Sequence, residues 1–197
     1  MHKPLALSIL AGALLAASAP AALASDSFSF SGTGSTGVSF SGTVTYDPAA
    51  AYELTIALTN TTAAGVGGFL TGLAFDLPGD ASIGAYTSSH AAMTLASNLS
   101  TAPFGTREWG VGVGGTWLGG GKPSGGVAAG TNGSWSFDLT GGPDHLSFSD
   151  LNLVARFRGL ADGGSDKVPA VPEPETWAMM LAGVGVLALM SRRRRGA

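Results

Sequence analysis

Apolar residues recur at every second position along most of this chain, and that period constrains its fold more than any other feature. Phe28 and Phe30 alternate with serines. Val38, Phe40, Val44 and Tyr46 share one parity, and Tyr52, Leu54, Ile56 and Leu58 form the next set. The pattern returns in Phe69, Leu73, Phe75 and Leu77, in Met93 and Leu95, and in Trp109, Val111 and Val113. It closes with Trp135, Phe137 and Leu139, then Leu151, Leu153, Ala155 and Phe157. A period of two places each set on one face of a sheet and the intervening Ser, Thr and Gly on the other. Asp47-Pro48, Pro78-Gly79-Asp80 and Gly141-Gly142-Pro143-Asp144 punctuate the runs as turns. Helical spacing is confined to the two ends, apart from short turns at Ala49–Ala51 and Ser88–Ala92. About eight short strands without crossover helices predict an all-β body, an antiparallel β-sandwich or a jelly roll. Its outward faces carry hydroxyls rather than charges, which suits either solvent or a polysaccharide neighbour.

Charge is sparse and unevenly placed. Charged residues make up 12% of the 197, about half the usual soluble level. Between Ser25 and Ala170 stand five cations, Arg107, Lys122, Arg156, Arg158 and Lys167, against eleven acids. A nucleic-acid partner requires a basic stripe, and this acidic body excludes one. The absence of cysteine excludes disulfides, thiolate metal sites and cysteine catalysis. Gly110 to Gly133 holds eleven glycines, and Gly114 to Gly133 reads as a long mobile loop. Gly121-Lys122-Pro123-Ser124 lacks the glycine spacing and the hydroxyl directly after lysine that a phosphate loop needs.

Both ends read as addresses. Residues 1–24 have a short basic start at His2 and Lys3 and an apolar run from Leu5 to Ala17. Ala22-Leu23-Ala24 then fits the small-x-small rule, so signal peptidase is expected to leave Ser25 as the mature start. The exported domain is expected over 25–168, and residues 169–197 form a linker, membrane helix and basic tail. Val171-Pro172-Glu173-Pro174 precedes Thr176–Met190, fifteen residues without a charge, and then Arg192, Arg193, Arg194 and Arg195. The prolines are expected to keep the chain extended and unable to continue a strand ladder. Trp177 stands where an interfacial aromatic belongs, and the arginines would remain cytoplasmic. As a helix, the 176–190 stretch is about 22 Å long, short of a hydrocarbon core of about 30 Å.

The order of Pro172-Glu173-Pro174, apolar span and tetra-arginine end resembles the PEP-CTERM sorting signal of Gram-negative bacteria. The resemblance covers the tail alone. It implies recognition by an exosortase, an inner-membrane-anchored precursor, and export towards the cell surface or an exopolysaccharide-rich extracellular matrix such as a biofilm.

No catalytic set emerges from the body. His90 and His145 are its only histidines, with Asp144 and Asp150 near the second, and a nucleophile elbow and a zinc-protease motif are both absent. Asp162 and Asp166 lack the spacing of a calcium loop. Glu53 and Glu108 are the only body glutamates, and Glu108, between Arg107 and Trp109, is a candidate sugar contact. Neither cofactor nor metal is expected. Two functions remain: a non-enzymatic surface or matrix protein, and a carbohydrate-binding module acting in exopolysaccharide. Exposed Trp109, Trp117 and Trp135 would favour the second, and inward-facing ones the first.

Overall fold

The computed structural model describes residues 25–115, 117 and 120–173. In chain order its strands are β1 (Asp26–Thr33), β2 (Ser39–Tyr46), β3 (Leu54–Asn60), β4 (Gly67–Phe75), β5 (Ser82–Ser88), β6 (Met93–Ser100), β7 (Thr106–Val113), β8 (Val127–Ala128), β9 (Asn132–Thr140), β10 (Val154–Leu160), β11 (Ser165–Pro169) and β12 (Val171–Pro172). A four-residue helix, α1 (Phe148–Leu151), precedes β10. The alternation seen in the sequence becomes alternate burial: β3 and β9 turn every second residue inward.

The strands form two sheets, ordered β12-β1-β2-β3-β9-β5 and β11-β10-β4-β7-β6, with β8 paired to β4. All the pairings are antiparallel. Phe30, Phe40, Tyr46, Leu54, Ile56, Trp135 and Phe137 of the first sheet share one core with Leu70, Leu73, Phe75, Val111 and Phe157 of the second. Phe75 meets Phe137 edge-on across the gap, with ring centroids 5.1 Å apart, and Phe40 approaches Phe157 at 6.1 Å. Two apolar faces closed on each other make a β-sandwich. The β1-β2-β3 meander and the β6-β7 and β10-β11 hairpins stay within their own sheets, so sandwich rather than jelly roll describes the connectivity.

Several details depart from the sequence reading. Opposite the Arg156/Phe157 step, β4 carries one extra residue, Thr71. That bulge reverses parity, so Leu70 rather than Phe69 joins Leu73 and Phe75 in the core. A second irregularity, at Gly84 between Ile83 and Ala85, breaks the alternation of β5, which is why the pattern did not predict that strand. Leu151 lies in α1 instead of a strand. From Gly120 onward the expected mobile loop is tied down. Pro123–Gly125 is a 3-10 turn, Val127 is fully buried, and β8 pairs Phe69 with Ala128 and Leu70 with Val127. Gly126 is glycine because a Cβ there would collide with the Leu70 carbonyl. Trp117 packs with Ala74, Leu99 and Val154 in a small second cluster, separate from the main core.

The expectation that prolines end the ladder is also corrected, since Val171 and Pro172 pair with β1. Proline is tolerated on an edge strand because its missing N–H need not face a partner. The signal helix at 1–24, with Ala22 and Ala24, lies outside the described residues. So do Pro174, Trp177, the 176–190 span and Arg192 to Arg195. Among the described residues no helix is long and apolar enough to cross a membrane.

Candidate functional site

The tail enters the described structure as an edge strand. Val171 stands opposite Ser31 and Pro172 opposite Phe30, and the Glu173 amide donates to the Ser29 carbonyl at 3.1 Å. Residues facing each other across a ladder share a face, so Val171 and Glu173 lie on the hydroxyl side of the sheet with Ser29 and Ser31. Val171 is accordingly 53% exposed, and Glu173 borders a shallow trough floored by Ser41, Thr43, Ala57 and Ser134. Of the sorting candidates, Val171, Pro172 and Glu173 thus sit on the folded body. Ser25 is exposed, immediately ahead of β1.

The candidate sugar contact falls at one end of the sandwich. Glu108 and half-buried Trp109 line a cleft of about 420 Å³ with Asp80, Ala81, Ser97 and Asn98. Asn98 is held at a φ of 54°, a left-handed conformation uncommon outside glycine. Arg107 does not join the cleft lining. Its Nε donates to the Asn152 carbonyl at 2.5 Å and lies 3.8 Å from Asp76, while Asp76 also accepts the Glu108 amide at 3.0 Å.

The remaining titratable candidates are dispersed. His145 pairs at 3.4 Å with Asp26, whereas Asp150 accepts the Ser147 amide. His90 contacts Ser89 at 3.0 Å and packs its ring 6.3 Å from that of Trp135. Glu53 accepts the Leu139 amide at 2.7 Å. Asp162 closes its own turn onto Gly164, and Asp166 accepts from the Thr36 amide and hydroxyl. Among the described residues no group of three or more His, Asp or Glu side chains is placed to hold a metal.

Residues 170–195 match the PEP-CTERM protein-sorting motif. The chain carries a PEP-CTERM sorting signal. The match supports an exported protein whose membrane-anchored precursor is sorted by an exosortase. The PEP-CTERM region begins inside the folded domain, because Ala170 already donates its amide to the Leu153 carbonyl at 2.8 Å. No curated protein and no solved structure matches the chain.

A cluster that sequence reading missed lies beside the glycine-rich segment. Arg156 donates to the Trp117 carbonyl, and Arg158 donates to the Gly120 and Gly121 carbonyls at 3.0 and 3.5 Å. Lys167, opposite Arg156 across the β10–β11 ladder, donates to the Ala102 carbonyl at 2.7 Å. Burial, followed by the charge of Arg158, lowers the Arg156 pKa. Burial, followed by the charge of Arg156, lowers that of Lys167. The signal was present in the sequence as Arg156-x-Arg158, two cations of one parity, but the carbonyls that receive them come from a distant segment.

Proposed function

We propose that the chain is a non-enzymatic surface or extracellular-matrix protein, exported through its leader and delivered by its PEP-CTERM tail. The observation that carries this reading is the sorting motif joined directly to a closed sandwich. The placement of the tryptophans supports it: Trp135 is fully buried and Trp117 is 3% exposed, so both rings serve packing. Signal peptidase removes residues 1–24, the 176–190 span holds the precursor in the inner membrane, and an exosortase then processes the tail.

A second reading, a carbohydrate-binding module for exopolysaccharide, is favoured by the Glu108–Trp109 cleft. Its volume suits a small ligand, and half-buried Trp109 offers part of an aromatic face beside the polar groups of Asp80 and Asn98.

Immunoblots of membrane, surface and medium fractions, with a tag placed after Ser25, test the sorting. Wild-type chain should be shortened and released in cells that have the exosortase and retained at full length in cells lacking it. Replacing Pro172, Glu173 and Pro174 by alanine should leave it in the membrane and unprocessed. Replacing Arg192 to Arg195 by glutamine should let full-length chain escape, because charged groups at the bilayer centre cost roughly 2.5 kcal/mol or more each. Shortening of the alanine variant at the wild-type rate would make the tail an ordinary anchor.

A further inference from the structure

The segment that begins the sorting signal is already engaged by its own domain. In an antiparallel ladder, alternate residues direct both N–H and C=O at the neighbouring strand. The Glu173 amide points at the Ser29 carbonyl, so Val171, two residues earlier and opposite Ser31, faces the same way. Pro172 is the residue whose main chain faces outward, and it has no N–H. Over these three positions the free edge of β12 therefore presents no backbone donor. Recognition of an extended segment by strand addition uses its main-chain donors, and here β1 holds them.

We propose that Ser29 and Ser31 form a positioning edge for the sorting reaction. They hold Val171–Glu173 as a strand that the processing enzyme must peel away before it can read the motif. The docked segment is short, so the hold is weak and reversible. Folding of β1 thereby sets how often the tail is offered. This inference rests on the exosortase reading above, since it concerns how that enzyme gains its substrate.

Two variants of the full chain test it. Ser31→Pro removes the N–H that β1 directs at Val171 and leaves the β1–β2 ladder intact, because Ser31 turns its main chain away from Ser41. In detergent-solubilised chain, hydrogen exchange at single-residue resolution should show the Glu173 amide protected in wild type and exchanging faster in Ser31→Pro, where the neighbouring rung is lost. Removing one backbone hydrogen bond shifts such an equilibrium by about three- to tenfold. In cells containing the exosortase, tail processing should accelerate by a similar factor, provided circular dichroism shows the variant folded.

The second variant combines Ser31→Cys with Val171→Cys, a cross-strand pair whose Cα separation of about 5.5 Å suits a disulfide. The chain has no other cysteine, so only this bond can form. Oxidised, it should be processed at least about tenfold more slowly than wild type, and reductant should restore the rate. An unprotected Glu173 amide in wild type, or unchanged processing of the oxidised pair, overturns the proposal. If wild type is not processed at all, the exosortase reading and this gate both fail, while a protected amide would still establish the docked strand.

Discussion

The indole of Trp117 occupies the space that a side chain on Gly72 would need. A Cβ built on Gly72 falls 2.8 Å from the ring, closer than carbon atoms tolerate. Gly72 lies in the middle of β4, where glycine ordinarily weakens a strand, and here its bare Cα is the floor on which the glycine-rich segment rests. Gly72→Ala should displace Trp117 and lower stability by about 1–3 kcal/mol, the usual cost of overpacking. Urea denaturation would measure the loss, and acrylamide quenching should rise as the indole leaves its cover. An unchanged quenching profile would refute this packing.

Asn60 should matter more than its size suggests. It is fully buried, donates to the carbonyls of Val127 at 2.9 Å and Gly68 at 3.3 Å, and accepts the Thr62 amide at 3.2 Å. It joins β3, β4 and β8 at one point. Asn60→Ala leaves those groups unpaired in the interior, at a cost of about 1–3 kcal/mol. A loss of stability below about 0.5 kcal/mol in chemical denaturation would refute this role for the amide.

Tyr46 should set the alkaline limit of the fold. Its hydroxyl donates to the Pro143 carbonyl. Burial, then the nearby Glu53, Asp144 and Asp26 charges, raise its pKa above the usual 10.0. A phenol whose pKa is higher folded than unfolded holds its proton more tightly in the native state. Its stabilising contribution is therefore complete below pH 10 and is lost as pH rises through the folded value. Tyr46→Phe should reduce stability at neutral pH and flatten its decline above pH 10. Parallel melting curves of variant and wild type from pH 8 to 11 would check the sign.

Exported material should begin at Ser25. The residue is exposed and precedes β1 directly, so cleavage there leaves every strand complete. N-terminal sequencing decides the matter, and a chain starting at Met1 would refute it.

Much of the sandwich was legible because alternation is a local signal. Phe40, Val44 and Tyr46 share a parity, and all three reach the core. The signal failed wherever the backbone inserted a residue. Thr71 and Gly84 each shift the register, and nothing in their side chains announces it. Trp117 was ambiguous for a different reason. Its burial depends on the gap left by Gly72, which is distant in sequence, so neither residue reveals the contact alone. Val171 and Pro172 were legible as part of a motif but not as a strand, because β12 exists only by pairing with Phe30 and Ser31, and sequence-local rules treat proline as a terminator.

The antiparallel course of β12 against β1 puts Glu173 on the side of β1 nearer Asp26, the end where the domain itself begins. Any tension applied through the tail then falls on a single corner of the sandwich and loads the β1–β12 rungs one after another, as a zipper opens. Those few rungs part first, and only then does the load pass through Ala170 to β11. A protein tethered this way has a short stretch of give at its attachment before a pull reaches its sheets.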